Sequence, residues 1–219
     1  MSPSPSTAST KKRTVGPGRP KDLEKRAAIL DAAKRMFPVH GLDGVSMDAI
    51  AAEAGVSKLT VYSHFSDKDT LFREAVKARC EEQLPHAFFQ WAAGTMAIRD
   101  RLLTIARAFH ALVTNDETVT MYRMMAAQAP ANSKLAALFF EAGPQRILSE
   151  FEAMLKQANV AGSLRVDDAR EAAGHFFCLV KGLCHMRMLI GICEAPDDEQ
   201  AEAHIDKVVD LFLRAYAPR

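Results

Sequence analysis

The sequence is poor in the residues that build secreted scaffolds, metal clusters and sheets. Its four cysteines, Cys80, Cys178, Cys184 and Cys193, form no CxxC pair. That pattern argues against a disulfide framework and fits a reducing, cytoplasmic setting. No uncharged apolar run reaches the ~20 residues of a membrane-spanning helix, because the most apolar stretch, 176–193, is broken by Lys181, His185 and Arg187. Residues 1–20 hold Ser, Thr, Pro and basic residues but no apolar segment of the secretory kind. No segment alternates apolar and polar residues as a half-buried strand does. HExxH, P-loop, GxSxG and paired ExxH motifs are also missing, so the chain is expected to be no enzyme and to need no cofactor and no metal.

What remains is a helical composition: 48% hydrophobic and 25% charged residues, enough apolar material for a sizeable core. The net charge of +1 conceals an asymmetry, since 7 of the first 26 residues are basic and 2 acidic. A basic arm beside a near-neutral body points weakly to a polyanion; a solvated tail explains the same charges. The organisation read from these features is all-α. A disordered basic tail (1–20) precedes a small three-helix unit (21–66), and a larger helical bundle (67–219) begins with a connecting helix.

Helices are expected near 22–39, 46–54, 57–64, 66–84, 86–93, 98–114, 117–128, 132–158, 167–192 and 198–216. Ile29, Leu30, Ala33 and Phe37 form the inward stripe of the first. Ser46 and Ser57 stand where N-caps belong, and Ser66 with Asp69 reads as a capping box. Gly143-Pro144 interrupts the 132–158 helix, with Pro placed to start a new one.

The second and third helices carry a constellation with steric reasons. Ala51 is small where two helices cross, Gly55 permits the positive φ of a tight turn, and Val61 fills the core beneath the third helix. The remaining positions, Lys58, Leu59, Thr60, Tyr62, Ser63 and His64, form a face of donors and small apolar contacts without a carboxylate. Such a face suits a major groove, where Lys meets guanine N7/O6 and Leu or the Thr methyl packs on thymine.

Residues 26–76 resemble the DNA-binding domain of the tetracycline-repressor (TetR) family through RAAILDAA (26–33), FPVHG (37–41), SMDAIAAEAGVSKLTVYSHF (46–65) and SDKDTLF (66–72). The resemblance assigns Lys58, Leu59, Thr60 and Ser63 to bases, and Ser46, Tyr62, His64 and Lys68 to phosphates. Many relatives carry an aromatic residue where Ser63 stands. His64 reads equally as a capping or core histidine, and Arg19 and Lys21 as an arm or as solvated charges. Residues 119–159, above all RMMAAQAPANSKL (123–135) and FFEAGPQR (139–146), look like the C-terminal domain of the AefR-like subgroup.

That resemblance implies a transcriptional regulator, most commonly a homodimeric repressor that leaves a palindromic operator in double-stranded DNA when a small apolar effector fills its C-terminal chamber. Phe88, Phe89, Trp91, Phe109, Met121, Tyr122, Met125, Phe140, Phe176 and Phe177 supply the aromatic and sulfur-bearing lining such a chamber needs. A plain bundle core uses the same residues at the same spacing. Two stripes, Ala172, Phe176, Leu179, Leu183 and Met186, then Val208, Leu211, Phe212 and Ala215, make the last two helices apolar on more than one side, as a dimer interface requires. His175 with Cys178, and Cys184 with His185, could hold metal or sense redox state, but equally serve as ordinary helix residues.

Overall fold

In the computed structural model, residues 18–218 are described apart from 92, 93, 95, 129 and 131, with side chains from residue 22 onward. The expected tail before residue 18, and the side chains of Arg19 and Lys21, lie outside the described residues. Ten α-helices and one 3-10 turn follow one another among these residues: α1 Gly18–His40, α2 Met47–Glu53, α3 Lys58–His64, α4 Lys68–Gln83, the 3-10 turn His86–Phe89, α5 Ile98–Thr114, α6 Asp116–Gln128, α7 Ser133–Ala142, α8 Pro144–Val160, α9 Ala169–Leu189 and α10 Asp198–Tyr216.

Three local expectations are corrected. Helix α1 begins at Gly18 rather than residue 22, because Pro20 falls in the first turn, where its missing N–H has no partner to lose. The cap of α4 is Asp67, whose carboxylate accepts from Thr70 N at 2.7 Å; Ser66 instead donates to Asp67. The helix expected at 86–93 is the single 3-10 turn His86–Phe89 after Pro85. Elsewhere the caps are as read, with Ser46 Oγ accepting from Ala49 N at 3.1 Å and Ser57 Oγ from Thr60 N at 3.2 Å.

Burial divides into two cores. One joins Ile29, Ala33 and Phe37 of α1 to Ile50, Ala51, Val61 and Phe65, and extends to Met125 of α6 and Leu135 of α7. The other packs Phe109, Phe151, Phe176, Phe177 and Phe212 from α5, α8, α9 and α10, with ring centroids 4.4 Å apart for Phe109–Phe177 and 4.7 Å for Phe151–Phe176. Fully buried phenylalanines of this kind contribute about 1.5–3 kcal/mol each. Helix α4 belongs to both: Leu71, Phe72, Ala75 and Val76 sit in the first core, Cys80 in the second, which also takes Leu84 just past the helix end.

Two glycines set the chain's course in the larger half. At Gly143 the α7–α8 junction passes so close to α4 that a Cβ would stand 3.2 Å from both Cys80 Sγ and Val76 Cγ1. Pro144 then opens α8. At Gly182 the backbone takes φ 56° and ψ −171°, breaking α9 in mid-course. No helix among the described residues is long and apolar enough to cross a membrane.

Candidate nucleic-acid interface and apolar chamber

Helices α2 and α3 are 7 residues each, too short to persist alone, so caps and packing hold them. The turn between them depends on Gly55 at φ +66°, and nothing lies within 4 Å of a Cβ built there. Backbone conformation, not space, therefore demands glycine. Ala51 and Val61 are buried beside Ile50 and Phe65, which turns the opposite face of α3 to solvent.

On that face Leu59 is 80% exposed and Tyr62 45%; Lys58 and Ser63 are exposed too. Thr60 is half-buried, its hydroxyl 2.8 Å from Ser57 Oγ. Ser63 Oγ donates to the Thr60 carbonyl at 2.7 Å, leaving its lone pairs free as acceptors. Ser46 is exposed at the start of α2, and Lys68, half-buried, opens α4. Lys58 Nζ lies 2.9 Å from the Asp48 carboxylate of α2. This hydrogen bond and charge raise the lysine pKa. The reading face therefore has an acidic neighbour ten residues back that the sequence reading did not find.

His64 is the exception on this helix. Its side chain is 10% exposed, with Nε2 3.2 Å from Asp22 Oδ1 of α1 but off the hydrogen-bonding direction. The ring is turned toward α1 and away from the open face.

Between the two cores lies a cavity of about 300 Å³, at the small end of ligand pockets. Phe109, Met121, Tyr122, Phe140 and Phe177 line it, joined by Phe37 of α1 and Phe72, Ala75, Val76 and Cys80 of α4. Phe88, Met125 and Phe176 do not. Phe88 packs on the outside of the second core, Phe176 is sealed within it, and Met125 belongs to the first. Of the other aromatic residues expected there, Phe89 is sealed in the second core and Trp91 packs on its flank.

Tyr122 meets Phe139 and His185 edge-on, each at 5.4 Å, and burial pushes its phenol up to about 12, so it is a hydrogen-bond donor. Burial also pushes the Cys80 thiol up to about 11. Of the cations at the wall, Lys34 pairs with Asp31 and Glu82 and Arg79 with Glu117. Lys181 lies instead over the rings of Phe109 and Tyr122, 6.0 and 5.7 Å from their centroids.

The expected interface stripes divide. Leu179, Leu183, Met186 and Leu211 are exposed, as is Ala215, with Ile190 and Ile192 extending the patch. Ala172, Val208 and Phe212 are buried in the protomer's own second core. The change along α9 begins at Leu179, before the break at Gly182, and the exposed stripe continues past it through Leu183 and Met186.

Among the described residues no group of three His, Cys, Asp or Glu side chains stands ready to hold a metal ion. His175 lies 3.3 Å from the Tyr216 hydroxyl, and Cys193 Sγ donates weakly to the Cys184 carbonyl at 3.8 Å.

Comparison with known proteins agrees with this architecture. Residues 29–75 match the profile of bacterial regulatory proteins of the tetR family, and residues 100–218 that of the AefR-like transcriptional repressor C-terminal domain. The chain is 36% identical over 110 residues to the HTH-type transcriptional activator FasR of Mycolicibacterium smegmatis, covering 48% of this chain and 49% of FasR. It is 37% identical over 68 residues to the regulator YdeS of Bacillus subtilis, covering 31% of this chain and 34% of YdeS. The chain thus spans half or less of these curated relatives.

Solved structures align over more of the chain. A TetR-family regulator from Mesorhizobium loti shares 27% identity over 90% of this chain and 98% of its own, with a TM-score of 0.74. The flavonoid-responsive regulator FrrA shares 31% identity over 89% and 98%, with a TM-score of 0.67. The chain belongs to the TetR family of bacterial transcriptional regulators.

Proposed function

We propose that the chain is a homodimeric, cytoplasmic repressor that holds a palindromic operator and leaves it when a small, largely apolar ligand fills the chamber. The observation that carries this reading is the position of α4. Phe72, Ala75 and Val76 are at once part of the core beneath the DNA-binding unit and part of the chamber wall. A ligand that widens the chamber pushes on α4, and α4 cannot tilt without moving the unit that carries α3.

In this reading Lys58, Leu59, Thr60 and Ser63 face base edges, while Ser46, Tyr62 and Lys68 meet phosphates. Binding frees Lys58 from Asp48. His64 holds α3 against α1, and it reaches phosphate only if its ring leaves Asp22. Leu179, Leu183, Met186, Leu211 and Ala215 pair with their copies in a second protomer. That pairing sets two α3 helices about one DNA turn (~34–36 Å) apart. Ligand and operator then oppose each other as linked equilibria.

The test is a gel shift with DNA from upstream of the chain's own gene, in excess competitor. A sequence-specific shift from a dimer supports the reading, and no shift at moderate salt refutes it.

A further inference from the structure

The chamber wall is largely apolar, its polar groups including the Thr118 hydroxyl, charges already neutralised in ion pairs and, among the described residues, one unpaired cation. Lys34 and Arg79 each hold a carboxylate. Lys181 has no ion pair among the described residues, and the one neighbouring group that favours its charge is the Cys178 thiol. It sits on α9 one residue before the break at Gly182, largely desolvated, with its ammonium group resting on the faces of Phe109 and Tyr122. Both rings line the chamber. A desolvated cation supported only by aromatic faces retains most of its electrostatic demand.

The phenol of Tyr122, over whose ring the same ammonium group lies, is protonated. Among the described residues Lys181 is thus an unpaired cation at the wall of a cavity whose apolar lining includes Phe37, Phe72, Phe139, Phe140 and Phe177. An entirely apolar ligand would leave Lys181 still unpaired and remove its remaining water.

We propose that the chamber takes a small amphipathic carboxylate, with its anionic head on Lys181 and its apolar body among the phenylalanines. This inference deepens the ligand-release reading above and rests on it. It also alters that reading in one respect: the effector is charged at one end. Burial pulls the Lys181 pKa below its ordinary value, and an arriving carboxylate would reverse that shift.

The experiment compares near-isosteric acid and amide pairs, 2-naphthoate against 2-naphthamide and decanoate against decanamide, by calorimetric titration of the full-length protein. Wild type is expected to bind at least one acid about tenfold or more tightly than its amide, the scale of one charge-assisted contact. Lys181→Met is expected to bring the acid's affinity down to the amide's while leaving the amide's unchanged, and Lys181→Arg to retain the preference. Thermal melting and operator binding report whether each variant is folded.

Equal binding of acid and amide by wild type overturns the anion proposal and leaves the chamber reading standing. Unchanged acid binding by folded Lys181→Met also overturns it, since the acid then binds elsewhere. If no probe binds within its solubility, both the proposal and the chamber reading fail.

Discussion

His204 of α10 occupies the place that a side chain at Gly182 of α9 would fill. A Cβ at Gly182 would stand 3.1 and 3.2 Å from the imidazole Cε1 and Nε2, and that Nε2 lies 3.1 Å from both the Leu179 and Val180 carbonyls. In an unbroken helix those carbonyls would accept from the N–H groups of residues 183 and 184. The break removes these donors, and the imidazole N–H replaces them, which fixes the His204 proton on Nε2.

Gly182→Ala should therefore cost about 1–3 kcal/mol, through backbone strain and the clash with His204. His204→Ala should cost about 1–3 kcal/mol by leaving two carbonyls without a donor. Urea unfolding measures both. Values within about 0.5 kcal/mol of wild type, the range of an ordinary surface change, would show that the plug holds nothing.

Two other histidines, both buried, make stability depend on pH. Burial lowers the pKa of His110, assisted by the nearby His204, and lowers that of His185, assisted by Lys181 and His110 against a bond to the Val113 backbone. An unfolded histidine titrates near about 6.5. The unfolded state therefore binds more protons between that value and the depressed folded values. Stability is full above about pH 6.5 and falls as the pH drops below it. His110→Gln and His185→Gln should each flatten the acid limb of a stability–pH curve. A curve of unchanged slope in both variants would remove this account.

Thiol reactivity should separate the cysteines by environment. Cys178 is exposed, whereas Cys80 is buried with its thiol pushed up to about 11. Iodoacetamide at neutral pH should label Cys178 within the native protein and spare Cys80 until unfolding. Peptide mass mapping reads the order, and early labelling of Cys80 would mean that the chamber opens far wider than its ground state.

The stripe on α9 and α10 predicts a separable effect on assembly. Leu183 is 81% exposed, so a charge there costs the monomer little. Leu183→Glu should convert the dimer to a monomer in sedimentation equilibrium and sharply weaken operator binding, while the helical circular dichroism stays unchanged. A variant that remains dimeric would move the interface elsewhere.

How far these features were legible depends on how local their causes are. The α2–α3 turn could be read because Ser46, Gly55 and Ser57 act on neighbours within a few residues. The α3 face could be read because Val61 and Phe65 define which side is inward. The chamber was only partly legible. Apolar periodicity says that Phe176 and Phe177 point inward, but not which of them meets a void and which a neighbouring ring.

Ala172, Val208 and Phe212 were assigned to the interface for the same reason, since an inward stripe and a partner stripe look alike. The break at Gly182 escaped notice because its partner, His204, comes from another helix. Lys181 did leave a signal, a lysine inside the most apolar stretch of the chain, but it read only as an interruption. The Asp48–Lys58 pair crosses a turn that no helical spacing connects.

The central claim is that the open face of α3, doubled by a second protomer, reads DNA. Its most direct test is selection of binding sites from random duplex DNA, followed by affinity measurements on the selected site with Lys58→Ala and Tyr62→Phe at several salt concentrations. The account predicts a two-fold symmetric site. Lys58→Ala should weaken it by about 1–3 kcal/mol and relax one base position, and Tyr62→Phe should weaken binding across sequences. Wild-type affinity should fall by about 0.9 log units per phosphate contact per decade of salt. No enriched sequence, or wild-type affinity in both folded variants, would contradict it.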